Sequence, residues 1–434
     1  MVTVAYLSNQ FPSPVEPYVV EEIEELRRRG VRVIAGSVRK PKTQSEFGIG
    51  CMPEVVLEAL PAIVLLRAAW FCVARWNRIS SLMAWVFYRG PEGPYQRMKA
   101  LAHTWLGACY AVRLEKHGVD HIHVHHGYFG SWIAMVAARL VGAEFSMTLH
   151  GSDLLLHGTF LEAKLRNCAF CLTVSEYNRN YVLEHYAGID PAKVIVSRMG
   201  VEVSVREPLA LAMRDSEPPV LLAVGRLHAV KDHAFLLRAC AQLRDLNADF
   251  TCLIAGEGPE RRQLEALIQK YGLQERVTLL GEVARSSMTA LYDRADAVVL
   301  TSRSEGIPLV LMEAMARGKI VLAPAITGIP ELVIPGETGF LYEPGSLSSF
   351  VQRLLFIRSL MVRSPMTAQH DHAVRHSNPS AARQLDWVRH AARVYVRHNF
   401  NRQWNLESFG DLFLQRVAPQ TESVPRENFV LQQI

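Results

Sequence analysis

Two glutamates eight residues apart, Glu305 and Glu313, stand in the stretch DAVVLTSRSEGIPLVLMEAMA, residues 296–316. Carboxylates accept hydrogen bonds from hydroxyls, so such a pair suits a polyhydroxylated ligand. A phosphate on the same ligand would need cations or free backbone N–H groups. Gly225, Arg226 and Lys231 follow the apolar run VLLAV and supply a close backbone approach and two positive charges. Histidines also collect: His125 and His126 follow HIHV, and His150 and Asp153 follow FSMTL. Each group alone has a plainer account. Glu305 reads as a glutamate of a first helical turn, Glu313 as a solvated helical one, and a lone histidine as structural. A metal site is the rival reading for the histidines, but strand-end clusters do not by themselves set zinc spacing. No D-x-D occurs in the chain, so no metal is expected.

The surrounding pattern says where these groups must sit. Ala297 to Leu300 form a short apolar run suited to a buried parallel strand. A polar turn follows from Thr301 to Gly306. Pro308 fits the first turn of a helix, where a missing N–H costs nothing. Leu309, Met312, Met315 and Ala316 then recur at helical spacing. The same strand, turn and helix sequence recurs in FTCLIAGEGPERRQLEALI, where Arg261 holds the third position of a G-x-G-x-x-G and so speaks against a dehydrogenase. Thr327 to Ile329 would place backbone N–H groups at one more strand end. The first half opens with VTVAYL, a helix from Glu16 to Arg29 and the strand VRVIAG. Trp132 to Val141 reads as a helix between HIHV and FSMTL. Ser175 opens a further helix in V-S-E-Y-N. Alternating strands and helices predict doubly wound α/β domains, with ligands at the carboxyl ends of the strands.

These elements carry a resemblance. E-G-I-P-L-V-L-M-E-A-M-A resembles the E-x7-E signature of retaining glycosyltransferases of family 4, which have two Rossmann-like domains facing each other across a cleft (the GT-B fold). Gly225 to Lys231 is similar to the family's G-R-x(4)-K element. HIHVHH and HGSD are similar to its H-x-H and H-G-[ST]-D elements. Gly200-Val201-Glu202 stands where the family commonly has N-G-V-D. The loop SNQFPSPVEPY lacks the glycines common after strand one. It resembles instead an F-P-x(3)-E pattern associated with exopolysaccharide enzymes, with Glu16 as a candidate contact.

The resemblance implies a first, acceptor-binding domain over residues 1–205 and a second, nucleotide-sugar-binding domain over 206–400, joined through a linker near 202–219. It further implies a helix over 401–417 crossing back to the first domain. Donor-binding positions would be Gly225, Arg226, Lys231, Gly306, Ile307, Pro308, Glu313 and His150. Glu313 would hold the ribose, Glu305 the donor sugar, and His125 would lie near the reacting centre. The implied reaction moves a sugar from a nucleoside-diphosphate sugar to a saccharide acceptor, lipid-linked, in surface polysaccharide assembly, without a cofactor. A nucleotide-sugar epimerase and a non-catalytic sugar-nucleotide-binding subunit are the alternatives.

Composition sets the outer bounds. The 434 residues, half of them hydrophobic, call for two domains. Residues 61–119 hold eight Lys/Arg against two Asp/Glu, and residues 358–403 repeat that ratio. No helix-turn-helix, zinc-finger or RNP pattern accompanies this basicity, so no nucleic acid is expected. Residues 54–110 contain four of the seven tryptophans, with arginines spaced among aliphatics. They fit either an anionic membrane interface or a helical pair packed on the first sheet. Cys168 and Cys171 form one C-x-x-C with no second pair at zinc spacing, and read as buried thiols. Met1 leads straight into a strand, so the expected setting is the reducing cytoplasm, with no leader and no spanning helix. A polar insertion at 364–383 and a disordered tail from 418 complete the expectations.

Overall fold

Short β-branched and aliphatic runs bounded by polar turns build two wholly parallel sheets. In the computed structural model, residues 1–13, 16–41, 52–156, 158–203, 218–361 and 379–417 are described, with 379–382 as backbone only. The expected linker, the polar insertion and the tail therefore lie largely or wholly outside the described residues.

The first sheet has seven strands: β1 (Thr3–Gln10), β2 (Arg32–Arg39), β3 (Val55–Val56), β4 (His121–His125), β5 (Glu144–Leu149), β6 (Phe170–Thr173) and β7 (Val194–Val196). Their order is β3-β2-β1-β4-β5-β6-β7. The second has six: β8 (Val220–Val224), β9 (Thr251–Ala255), β10 (Val277–Gly281), β11 (Ala297–Val299), β12 (Ile320–Pro324) and β13 (Phe340–Tyr342). Their order is β10-β9-β8-β11-β12-β13. The strand order reverses between β1 and β4 in the first sheet and between β8 and β11 in the second. Such a reversal splays the flanking loops apart and opens a crevice at the carboxyl ends. The loops that carry the chemistry-bearing residues leave from just these strands.

Both faces of each sheet are covered. On one side of the first sheet, helix Pro94–Leu114 packs on helix Phe129–Val141, and Trp132 donates its indole N–H to Thr104 across them at 2.9 Å. The expected helical pair is thus three helices, Ala62–Ala74, Trp76–Tyr88 and Pro94–Leu114. On the other side lie helix Pro17–Arg28 and the last helix, Arg402–Val417, whose Phe409 and Phe413 join Tyr6, Phe170 and Leu172 in one cluster. The chain's last described helix therefore completes its first domain. Arg29 fixes it there, donating to Asp411 and to the Glu407 carbonyl. Cys168 and Cys171 are buried, and burial pushes both thiols up, Cys168 to about 12.

Helix Leu309–Ala316 departs from its expected one-sided packing. Leu311 and Ala314 are as buried as Met312 and Met315, while Leu309 is only half-buried. Helix Pro379–Asn399 lies against it and covers its second face. Pro308 stands one position before the first turn, extended, with its carbonyl accepting from the Leu311 N–H at 3.1 Å.

Candidate functional site

The two sheets meet through two glycines. Gly151 follows β5 and takes φ +136°, a conformation that only glycine adopts readily. A Cβ on it would lie 2.7 Å from the Gly306 nitrogen. Gly306 follows β11, and a Cβ there would lie 1.9 Å from the His150 carbonyl oxygen. Neither loop has room for a methyl group. The turn that carries His150 and the turn that carries Glu305 thus touch backbone to backbone.

On the second-domain side of this seam, Lys231 Nζ donates to Glu305 Oε1 at 2.5 Å. Thr301 donates its hydroxyl to the Lys231 carbonyl, and Arg303 pairs with Asp232 at 2.8 Å, tying the two loops together. Thr327 donates its hydroxyl to the Glu305 carbonyl at 2.6 Å and fixes the other flank. Glu313 is half-buried and accepts the Tyr292 hydroxyl at 2.7 Å on Oε2. Gly225, Arg226, Lys231, Glu305 and Gly306 all lie on the carboxyl-end loops of β8 and β11. Ile307 and Pro308 are buried, Ile307 in the core of this domain, so only their backbone is available to a ligand.

On the first-domain side, helix Pro17–Arg28 faces the histidine loops. His125 is buried, with Nε2 3.0 Å from Glu22 Oε2 and Nδ1 3.0 Å from His150 Nε2. His150 stacks on Tyr18, centroids 4.8 Å apart. His126 takes φ +70° and lies 3.1 Å from Glu16 Oε1 and 3.7 Å from Asp153 Oδ2. Asp153 also accepts the backbone N–H groups of Gly127, His150 and Gly151, so it holds both histidine turns.

The charges follow from these contacts. Burial alone would push the His126 imidazole down, but Asp153 and Glu16 outweigh it and raise it to about 9. Burial would lift the Asp153 carboxyl, yet His126 and the backbone donors hold it well below the usual range. Glu16 is likewise held low despite burial, by His126, His125 and the charge of Arg226 across the cleft. His150 is pushed well below its ordinary value by burial, then by His126 and His125. Glu16 precedes its helix but makes no side-chain cap; its carboxylate serves His126 instead.

Glu22, His123 and His125 bring ligand atoms within 4.8 Å of one another. His123 is bonded to Ser146 and Thr148, and His125 to Glu22 and His150, so protein partners already occupy these atoms. Glu22, Tyr18 and the engaged role of His126 escape the sequence reading. Glu22 is one of four glutamates in EEIEE, two of which, Glu22 and Glu25, are buried, and nothing in that run marks Glu22 as the one that meets His125. Helical spacing was the available signal, because Glu22 shares a face with Val19, Ile23 and Leu26.

Residues 15–205 match the family model described as Glycosyltransferase Family 4, and residues 212–360 match Glycosyl transferases group 1. The putative colanic acid biosynthesis glycosyltransferase WcaL of Salmonella typhimurium is 35% identical over 179 residues, which are 38% of this chain and 42% of WcaL. The chain thus spans about two-fifths of the length of that relative. Among solved structures, sucrose-phosphate synthase from Thermosynechococcus elongatus superposes with a TM-score of 0.70 at 20% identity, covering 96% of this chain and 99% of that one. Anabaena HepE in complex with UDP superposes with a TM-score of 0.65 at 17% identity, covering 96% and 100%. The chain thus carries a region matching Glycosyltransferase Family 4 followed by one matching Glycosyl transferases group 1, on two parallel-sheet α/β domains that share the GT-B fold of those structures.

Proposed function

We propose that the protein transfers a sugar, with retention, from a nucleoside-diphosphate sugar to a lipid-linked saccharide in surface polysaccharide assembly. The observation that carries this reading is the seam at Gly151 and Gly306. It sets the Lys231–Glu305 pair of one domain beside His150 of the other, with Arg226 across from Glu16. Arg226 and Lys231 supply positive charge where a departing diphosphate needs it. Glu313 holds the ribose and Glu305 the donor sugar. Residues 1–205 take the acceptor and 206–400 the donor. The printed name of WcaL supports the polysaccharide setting, and HepE recommends UDP as the first nucleotide to try.

A second surface supports a lipid-linked acceptor. Helices Ala62–Ala74, Trp76–Tyr88 and Pro94–Leu114 expose Leu66, Trp70, Val73, Phe87, Tyr88, Tyr95 and Met98. Exposed cations, Arg89 and Lys99, stand among these apolar groups, over the Trp85 and Tyr95 rings. No helix among the described residues is long and apolar enough to cross a membrane. The patch suits docking on the anionic inner face of a cytoplasmic membrane.

The two glutamates test the site. Glu313→Gln is expected to weaken the free nucleoside diphosphate and the donor alike. Glu305→Gln is expected to spare the free diphosphate and slow transfer. Each lost charge-assisted bond should cost about tenfold or more. Calorimetry, diphosphate release on adding acceptor and melting temperature are measured for both. Full activity in both variants overturns the site; no diphosphate release on adding acceptor points to an epimerase or a binding subunit.

A further inference from the structure

A proton count along the first-domain histidines says more than their distances. Glu22 Oε2 lies 2.9 Å from the Tyr6 hydroxyl and 3.0 Å from His125 Nε2. A carboxylate only accepts, so Tyr6 and His125 Nε2 each donate to it. Burial, then the charge and hydrogen bond of Glu22, raise the Tyr6 hydroxyl well above its ordinary value, so it keeps its proton. With its proton on Nε2, His125 presents a bare Nδ1. That atom lies 3.0 Å from His150 Nε2, which must then carry the proton of the second ring. The same logic leaves His150 Nδ1 bare, and no protein group among the described residues donates to it.

We infer that Glu22 is a positioning residue for the transfer: acting through His125, it fixes the His150 tautomer and keeps His150 Nδ1 as an acceptor for a substrate hydroxyl. The inference rests on the proposed transfer and adds to it a residue that never meets the sugar. Location supports it. The His150 carbonyl is the atom that Gly306 abuts, one residue from Glu305. Tyr18 stacks on the His150 ring and sets its plane. Glu22, His125 and Tyr6 are all buried, so water cannot substitute for a lost partner. The cationic His126, centroid 4.4 Å away, opposes a second positive charge on His150 and keeps its lone pair free. A merely structural Glu22 would pin helix Pro17–Arg28 to β4 without caring which nitrogen of His150 holds the proton.

The experiment is nitrogen-15 NMR of histidine-labelled full-length protein, with Glu22→Gln beside the wild type. In the wild type, His150 should show a protonated Nε2 and a bare Nδ1. A glutamine can turn its NH2 toward His125 Nε2, which reverses the direction of donation down the chain. Glu22→Gln should therefore move His150 toward the Nδ1–H tautomer. Its turnover at saturating donor should fall about tenfold, the size of one lost hydrogen bond to a substrate hydroxyl, with KM for the donor little changed. A wild-type His150 protonated on Nδ1 overturns the inference, and that reading needs no variant. So does a folded Glu22→Gln that keeps the wild-type tautomer or full turnover. If no donor is turned over by either protein, the proposed transfer is at fault, while the spectrum still decides the relay.

Discussion

At the scale of single residues, the site is a set of charges that hold one another in place. His126 is the clearest case, a non-glycine residue in the left-handed region held between Glu16 and Asp153. Its folded value, about 9, lies above the ordinary histidine value near 6.5. A raised value stabilises the fold fully below about pH 6.5, and that contribution is lost as pH rises through about 9. His126→Asn keeps a residue type that tolerates the left-handed backbone but removes the charge. Its chemical denaturation is expected to show a shallower decline between pH 6.5 and 9. The gap to wild type should be about 2 kcal/mol at pH 6 and shrink towards pH 9, allowing for screening at a ring one-fifth exposed. A gap that does not change with pH would remove the charge from the argument.

The carboxylates in the E-x7-E stretch, the glycine of G-R-x(4)-K and the two histidine turns were legible in the sequence, because turns after apolar runs mark strand ends. Glu22 was not, since a glutamate among glutamates shows its orientation only once the helix is docked. Nor was the proximity of Lys231 to Glu305, 74 residues apart and brought together by the β8–β11 pairing.

At the scale of elements, the contact between two turns decides whether the halves of the site can cooperate. A Cβ at Gly306 would overlap the His150 carbonyl, a backbone atom that cannot rotate away. Gly306→Ala must therefore push the two turns apart, and overpacking of this kind costs about 1–3 kcal/mol. The expected outcome is a fall in transfer of at least about tenfold, with far-ultraviolet circular dichroism unchanged, because neither sheet contains the residue. Retained wild-type transfer would show that the seam is not needed in the working state. Strands were easy to place from their apolar runs; what the sequence concealed was helix Leu309–Ala316 buried on both faces. The element that covers it, Pro379–Asn399, comes some sixty residues later, beyond the reach of any local period.

Across the whole molecule, the exposed aromatic face lies on the first domain, which also supplies the histidine side of the cleft. Three arginines that composition marked for lipid contact are engaged elsewhere: Arg67 pairs with Glu115, and Arg75 and Arg78 donate to the Leu140 carbonyl. Arg89 and Lys99 are the cations left among the exposed aromatics, and Trp70 is the apolar anchor. Wild type should co-sediment with vesicles rich in anionic lipid at about 0.1 M salt and release at about 1 M, as the screening length falls from about 10 to about 3 Å. The pair Arg89→Gln and Lys99→Gln should weaken binding at low salt, and Trp70→Glu should abolish it. Wild type left in the supernatant at low salt would assign these helices to packing alone.

The crossing of the last helix has a consequence for the order in which the molecule is made. Tyr6, Phe170 and Leu172 leave the ribosome early, yet Phe409 and Phe413, which cover them, come more than 230 residues after Leu172. At about 5–20 residues per second, that face stays open for roughly 12–48 s of synthesis. The half that begins first is finished last, and a nascent chain stalled anywhere before residue 409 carries a bare aromatic surface however well its strands have paired.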